Sequence, residues 1–72
     1  MDYSKLKGKI KEVFGTQGAF AKVMGISSVS LSAKLNNWVS FTQPEINKAC
    51  ELLGISFQHI AVYFFTPKVK QP

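Results

Sequence analysis

Residues 17–35, with the sequence QGAFAKVMGISSVSLSAKL, constrain the fold more than any other part of this 72-residue chain. Ala21 and Gly25 stand four positions apart, and Leu31 and Leu35 follow at helical spacing. A small residue allows two helices to cross closely, and glycine readily takes the positive φ that ends a helix in a tight turn. The spacing therefore predicts a helix-turn-helix, with an ordinary helical hairpin that stops at glycine as the alternative.

Length and charge limit what such a chain can do. The 72 residues form one domain near the lower limit for an independent core, because a chain of this size buries only about 60% of its unfolded surface. Nine basic against four acidic residues give a net charge of +5, which favours a polyanion or an acidic protein face as partner. A merely soluble basic domain is the alternative. All nine basic residues are lysines, so the chain lacks the bidentate guanine contact of arginine.

Cysteine and histidine usage exclude several classes of protein. Cys50 is the only cysteine, which rules out an internal disulfide and predicts a reducing, cytoplasmic setting. The N-terminal lysines precede no apolar run, so we expect no signal peptide. The longest apolar run, residues 60–65, has six residues, far fewer than the roughly 20 that span a bilayer. His59 is the only histidine, and no nucleophile or metal-ligand pattern includes it. We therefore expect neither an enzyme nor a cofactor.

The first predicted helix begins with Asp2 or Ser4 as its cap and ends at Gly15. Its apolar stripe comprises Leu6, Ile10, Val13 and Phe14. Its lysines fall on two flanks, Lys5 with Lys9 and Lys7 with Lys11. Two flanks of lysines are more typical of a solvated face than of a binding site, so this helix is expected to pack its stripe on the core.

The next two predicted helices build the helix-turn-helix. Thr16 caps the second helix, which runs to Met24 and buries its apolar residues. Those residues are Phe20, Ala21 and Met24. Ser27 or Ser28 caps the third helix, which runs to about Asn36. Leu31 and Leu35 then point inward.

The start of the fourth helix is the best marked in the chain. Thr42 and Glu45 have capping-box spacing, Pro44 fits the first turn, and Gly54 ends the helix. Its buried stripe comprises Ile46, Ala49, Cys50 and Leu53. This places Cys50 in the core as a small apolar residue rather than as a reactive thiol.

Ser56 is expected to cap a fifth helix whose apolar stripe comprises Phe57, Ile60, Ala61 and Phe64. Val62, Tyr63 and Phe65 are surplus apolar residues that either cover the first helix or form a dimer or partner surface. Residues 60–66 are also rich in β-formers, and an edge strand is the alternative. The overall prediction is an all-α, compact five-helix domain over residues 1–66, followed by a flexible basic tail at 67–72.

The segments FGTQGAFAKVMGISSVSLSAKLNN and EINKACELLGIS resemble the small Cro-like members of the phage repressor helix-turn-helix superfamily. The likeness covers residues 3 to about 65, and it is closest to the modulator-of-repression class of phage anti-repressors. The resemblance implies a lambda repressor-like fold and a role in the choice between lysis and lysogeny in a bacterial host. For anti-repressors it further implies binding to the N-terminal DNA-binding domain of a CI-type repressor.

The resemblance also indicates which residues face a partner. In the superfamily the start of the second helix contacts phosphate, and the third helix reaches bases. The corresponding positions here are Gln17 and Gly18 for phosphate, and Ser27, Ser28, Val29, Ser32, Ala33 and Asn36 for the groove. Lys22 and Lys34 flank the motif and are further candidates for phosphate contact.

The groove-facing residues are weak readers of DNA. The serines discriminate poorly between bases, and only Gln17 and Asn36 have an amide that can contact adenine in a bidentate manner. Val29 and Ala33 instead form an apolar patch that another protein can approach closely. We therefore expect an anti-repressor that covers the repressor's DNA-binding surface and binds double-stranded DNA weakly alone. The alternative is an autonomous Cro-like repressor with its third helix in the major groove of an operator.

Overall fold

Residues 1–65 are described by a computed structural model, and they fold into five α-helices. The helices are α1 (Ser4–Phe14), α2 (Gln17–Met24), α3 (Ser28–Leu35), α4 (Gln43–Leu53) and α5 (Ile60–Phe64). A 3-10 turn, Phe57–His59, leads into α5. No strand occurs in residues 1–65, so the all-α prediction is confirmed and the edge strand is wrong where residues 60–65 are concerned. The predicted domain end at residue 66 and the predicted tail at 67–72 lie outside the described residues.

Side-chain caps fix the starts of three helices. Thr16 Oγ1 accepts a hydrogen bond from Ala19 N at 3.1 Å, and Ser27 Oγ accepts one from Ser30 N at 3.0 Å. The caps predicted at Thr16 and Ser27 are therefore confirmed. Each cap is worth about 1 kcal/mol of helix stability. The predicted capping box at α4 also forms, since Thr42 and Glu45 each bond the other's backbone N–H.

The start of α1 differs from these. Tyr3 occupies the cap position without a side-chain cap bond. The Asp2 carboxylate nevertheless accepts hydrogen bonds from both the N–H and the hydroxyl of Ser4, at 2.9 and 2.6 Å. The prediction that Asp2 or Ser4 occupies the cap position is therefore wrong, although the two residues bond to each other at the start of the helix.

Three helices end in the same hydrogen-bonded motif. In each, one residue takes a positive φ, and the N–H of the next residue donates back to the carbonyl five positions earlier. The three positive-φ residues are Gly25 (78°), Asn37 (65°) and Gly54 (67°). The glycine stops of α2 and α4 were predicted, and the Asn37 stop of α3 was not.

Fourteen apolar residues form one buried core. Its largest fully buried side chains come from α1, α2, α3 and α5, and they are Leu6, Ile10, Phe20, Leu31 and Phe64. Phe41 links the start of α1 to α5, because its ring packs edge-on against both Tyr3 and Phe64, with ring centroids 5.4 and 5.3 Å away. Each such buried side chain contributes about 1.5–3 kcal/mol to folding. The stripe predicted for α4 is confirmed as core.

Three residues predicted for the core are exposed, namely Val13, Phe57 and Ala61. Phe57 is 88% exposed, and residues 57–59 form a 3-10 turn instead of the first turn of an α-helix. The Ser56 hydroxyl lies 2.7 Å from His59 Nδ1 and caps no backbone N–H. Val13 is 46% exposed at the edge of the α1 stripe, in the last turn of the helix.

The surplus apolar residues of α5 divide between the core and the surface. Tyr63 is partly buried and packs against the core, whereas Val62 and Phe65 are 37% and 47% exposed. Ala61, which was placed in the buried stripe, is also exposed. The short α5 therefore buries a narrower face than its sequence predicts.

Candidate interaction surface on the second and third helices

The inward side of α2 and α3 fixes how these helices meet. Ala21 on α2 is 1% exposed, and Leu31 on α3 is fully buried. Gly25 takes the left-handed conformation, which allows Ile26 N to donate to Ala21 O at 3.1 Å and Gly25 N to donate to Lys22 O at 3.2 Å. The predicted left-handed turn at Gly25 is therefore confirmed, and three residues suffice to turn the chain from one helix into the next.

The outward side of the two helices holds the candidate site residues. We call this surface the α2–α3 face. Seven of its residues are exposed, namely Gln17, Gly18, Lys22, Ser27, Ser28, Val29 and Asn36, while Ser32 and Ala33 are half-buried. Val29 has 79% of its surface exposed. A Cβ placed on Gly18 would lie 3.7 Å from Ser28 Oγ, so the starts of the two helices are adjacent.

Hydrogen bonds within α3 already occupy several polar groups of the α2–α3 face. Ser27 Oγ accepts from Ser30 N and contacts Ser30 Oγ. Asn36 Nδ2 donates to the carbonyl and hydroxyl oxygens of Ser32 at 2.9 and 3.3 Å. Bidentate recognition of adenine needs both the N–H and the oxygen of an amide, so Asn36 must first leave Ser32 to read a base.

Lys34 does not lie where a phosphate contact would need it. Its side chain is buried, and its Nζ lies 3.2 Å from Glu45 Oε1 and 3.4 Å from the carbonyl oxygen of Ser40. The prediction that Lys34 meets phosphates is wrong for this structure, because an acidic residue of α4 takes up its charge. Lys22, the other flanking lysine, is exposed.

The pKa of Glu45 reflects this arrangement. Burial by itself raises the pKa of the Glu45 carboxyl, but a hydrogen bond from the Thr42 backbone and the hydrogen bond and charge of Lys34 outweigh it. The pKa of Glu45 therefore lies below its ordinary value. The carboxylate stays ionised near neutral pH and keeps the lysine paired.

This pairing leaves a long stretch of surface without free charge. Lys34 is the only charged residue in residues 27–44. Since Lys34 is buried against Glu45, α3 and the loop after it expose only apolar and neutral polar groups. A strongly basic chain thus has a neutral surface at the helix that was expected to face its partner.

Trp38 extends the apolar part of this surface. It is 80% exposed, and Val39 beside it is 51% exposed. The N–H groups of Trp38 and Val39 both donate to Ala33 O, at 2.9 and 3.4 Å, and Ala33 lies one helical turn after Val29. We call Val29, Ala33, Trp38 and Val39 the apolar strip. The sequence analysis assigned Trp38 no role, although a lone tryptophan directly after the motif is a signal for an interface.

Residues 1–65 contain no comparable second candidate site. Burial raises the pKa of the Cys50 thiol, which leaves it protonated, in line with its place in the core. In this part of the chain no group of three or more His, Cys, Asp or Glu side chains is arranged to hold a metal ion. None of its helices has the length and apolar character needed to cross a membrane.

Comparisons with known proteins agree with the helical fold. Residues 1–67 match the family described as "Protein of unknown function (DUF739)". The chain is also similar to the solution structure of the modulator of repression (MOR) of the temperate bacteriophage TP901-1 from Lactococcus lactis, with 48% sequence identity and a TM-score of 0.81. The match covers 96% of this chain and 93% of that one. The chain therefore belongs to the family whose model matches residues 1–67. No curated protein sequence matches it.

Family membership confirms the resemblance that the sequence motifs carried. The related protein is named as a modulator of repression in a temperate phage, and it shares the fold over nearly its whole length. The chain is accordingly a phage regulator of the same family. Its family description assigns no biochemical activity, so the molecular role has to be argued from the surface.

Proposed function

We propose that this protein is an anti-repressor in the lysis–lysogeny switch of a temperate phage. It binds the N-terminal DNA-binding domain of a CI-type repressor through the α2–α3 face, and so prevents that repressor from binding its operator. The name of the related phage protein, modulator of repression, supports the class of role. The choice of surface rests on the chemistry of α3.

The observation that carries the proposal is the absence of free charge in residues 27–44. Affinity for DNA comes largely from lysine and arginine side chains that neutralise phosphates, and it falls steeply with salt for that reason. In α3 the only lysine is paired with Glu45. The helix that would enter a major groove therefore supplies no phosphate neutralisation and few discriminating groups.

The same features favour a protein partner. Interface centres are depleted in charged residues and enriched in apolar and aromatic ones, which is the composition of the apolar strip. A repressor's DNA-binding surface is itself basic, and two basic surfaces repel each other. Contact centred on neutral residues avoids that repulsion and leaves this chain's lysines at or beyond the rim.

Inhibition then follows from geometry. If α2 and α3 of this protein cover the corresponding helices of the repressor, the repressor's own recognition helix cannot reach a groove. The complex is a one-to-one heterodimer that forms in the host cytoplasm and needs no cofactor. Gln17, Ser28, Ser32 and Asn36 supply hydrogen bonds around the apolar strip, and Gly18 lets the two surfaces approach closely.

The second candidate function is autonomous operator binding, in the manner of a Cro-like repressor. It is favoured by the adjacency of Gly18 and Ser28, which presents two helix starts to one groove, and by the exposed Lys22 nearby. In that mode Val29 contacts a thymine methyl group and Gln17 an adenine. Each good bidentate contact adds only about 1–3 kcal/mol of discrimination, so specificity per monomer would be modest.

Two measurements on the wild-type protein separate these functions. Size-exclusion chromatography with the N-terminal domain of the CI-type repressor of the same phage should yield a one-to-one complex. A gel shift of this protein alone on the phage's divergent promoter region should show only weak, unselective binding. Tight, sequence-selective binding that weakens steeply with salt, without any complex, would instead establish the Cro-like function.

A further inference from the structure

Trp38 departs from the other residues that occupy its structural position. In the helix-ending motif, the residue after the positive-φ position is usually apolar and packs back against its helix. Ile26 and Ile55 follow this rule, since one is partly buried and the other is only 8% exposed. Trp38 makes the same backbone bond and yet is 80% exposed. The largest apolar side chain of the three is the one that stays outside.

The backbone that carries Trp38 is firmly held. Asn37 precedes it, and Asn37 Nδ2 donates to Met1 O at 2.7 Å, which ties the loop to the start of the chain. On the other side, Lys34 Nζ contacts Ser40 O while paired with Glu45. An aromatic side chain on a fixed backbone loses little conformational freedom when it binds, so more of its burial appears as affinity.

The chemistry around Trp38 limits what it can bind. Val29 and Ala33 lead up to it along α3, and the paired Lys34 leaves no free charge between residues 27 and 44. Residues 27–44 thus offer a polyanion no unpaired cation, and the Met1 ammonium beside Asn37 is held by Asn37 Oδ1 at 2.9 Å. An indole suits an apolar pocket with one oxygen that accepts its N–H, and tryptophan is among the residues most enriched at the energetic centres of protein interfaces.

We propose that Trp38 is the anchor of the interface with the repressor, its indole inserting into an uncharged apolar pocket of the repressor's DNA-binding domain. This inference rests on the proposed function, which supplies the partner. It adds a residue outside the two helices and makes the loop after α3 part of the recognition surface. The apolar strip then has its centre at Trp38 and its margin at Val29.

Phe57 provides a matched control. It is an aromatic residue of similar exposure, at 88%, and it lies on the 3-10 turn before α5 instead of on the apolar strip. If exposed aromatic surface in general drives the association, Trp38→Ala and Phe57→Ala will weaken it alike. If Trp38 is the anchor, only Trp38→Ala will do so.

The affinities should be measured by isothermal titration calorimetry with the purified N-terminal domain of the CI-type repressor of the same phage. Trp38→Ala should raise Kd at least about 30-fold, as expected for an interface anchor, and Phe57→Ala should change it less than about twofold. Unchanged affinity in Trp38→Ala, with tight wild-type binding, overturns the anchor and leaves the proposed function intact. Failure of the wild type to bind overturns the proposed function itself.

A second measurement needs no truncation of the anchor. Trp38 is the only tryptophan in the chain, so it reports directly on its own surroundings. On complex formation its fluorescence should shift to shorter wavelength, and quenching by acrylamide should fall. The Trp38→Phe complex supplies the repressor's own emission for subtraction. A complex that forms without either spectral change overturns the insertion of Trp38.

Discussion

Helices α1 and α3 differ in the charge that they expose. Four of the 11 residues of α1 are lysines, and three of those are exposed. The single lysine of α3, Lys34, is buried in an ion pair with Glu45. The net charge of +5 therefore does not lie on the helix that the motif assigns to recognition. A basic composition and a helix-turn-helix pattern together suggest a DNA reader, and their separation in space favours a protein partner instead.

The strongest way to break this contrast is to put a charge on α3. Val29→Lys adds a cation to the neutral apolar strip, where it must be desolvated against a basic repressor surface. We expect the complex to weaken about 100-fold, because like charges placed together at an interface cost several kcal/mol. Calorimetric titration measures this. If α3 reads DNA, the same change should strengthen operator binding, since it adds a phosphate contact.

Val13→Lys is the matched control for this change. Val13 is an exposed valine of α1, 46% accessible, and a lysine in the last turn of a helix is favourable. The Val13→Lys protein should bind the repressor with a Kd within about twofold of the wild-type value. Equal weakening by Val13→Lys and Val29→Lys would mean that overall charge, not the apolar strip, governs association.

The second test removes Lys34, the charged residue of α3 that is paired with Glu45. Lys34→Ala leaves Glu45 without its charged partner and frees Ser40 O, so we expect the free energy of unfolding to fall by about 1–3 kcal/mol. Lys22→Ala, which removes an exposed lysine, should change it by less than about 0.5 kcal/mol. Denaturant melts compare the two. Equal stability of both variants would show that the buried pair does not hold the loop.

Acid should act on the same pair. The pKa of Glu45 is lowered in the folded state, so its ionisation stabilises the fold above the ordinary carboxyl pKa. That stabilisation is lost as the pH falls through the lowered pKa. Glu45→Gln keeps an acceptor in the capping box and should show a smaller loss of stability in this acidic range. Thermal melts across that range measure it, and identical acid profiles for both proteins would contradict the assignment.

The smallest effect is expected when lysines of α1 are removed. Lys7→Gln together with Lys11→Gln removes two exposed lysines of α1. Repressor binding should change by less than about twofold, since these lysines lie outside the apolar strip. A Cro-like operator binder that used them on phosphates would instead lose about 1 unit of salt slope for each. Titrations at several salt concentrations distinguish these results.

The parts of the fold that depend on neighbours in sequence were predictable. Thr16, Ser27 and the Thr42–Glu45 box act within one helical turn, and Gly25 and Gly54 end their helices through local backbone geometry. Their residue types report these roles directly. The existence and order of the five helices followed from these signals and from apolar spacing.

The charge and exposure of the surface residues depend on contacts between helices that are distant in sequence, so they were not predictable. Lys34 reads as a solvated lysine, because Glu45 lies on another helix and is brought close only by folding. Phe57 reads as part of an α-helical stripe, because nothing in its spacing reveals the 3-10 turn. The exposure of Trp38 depends on whether the surrounding helices cover it, and they do not.

The central claim is that binding to this protein and binding to the operator are mutually exclusive for the repressor. It can be tested by fluorescence anisotropy of labelled operator DNA that has been saturated with the repressor's N-terminal domain. Adding this protein should return the anisotropy to that of free DNA, at a concentration set by the affinity of the one-to-one complex. A further rise in anisotropy, which would show a ternary complex on DNA, or no change despite complex formation, would contradict occlusion.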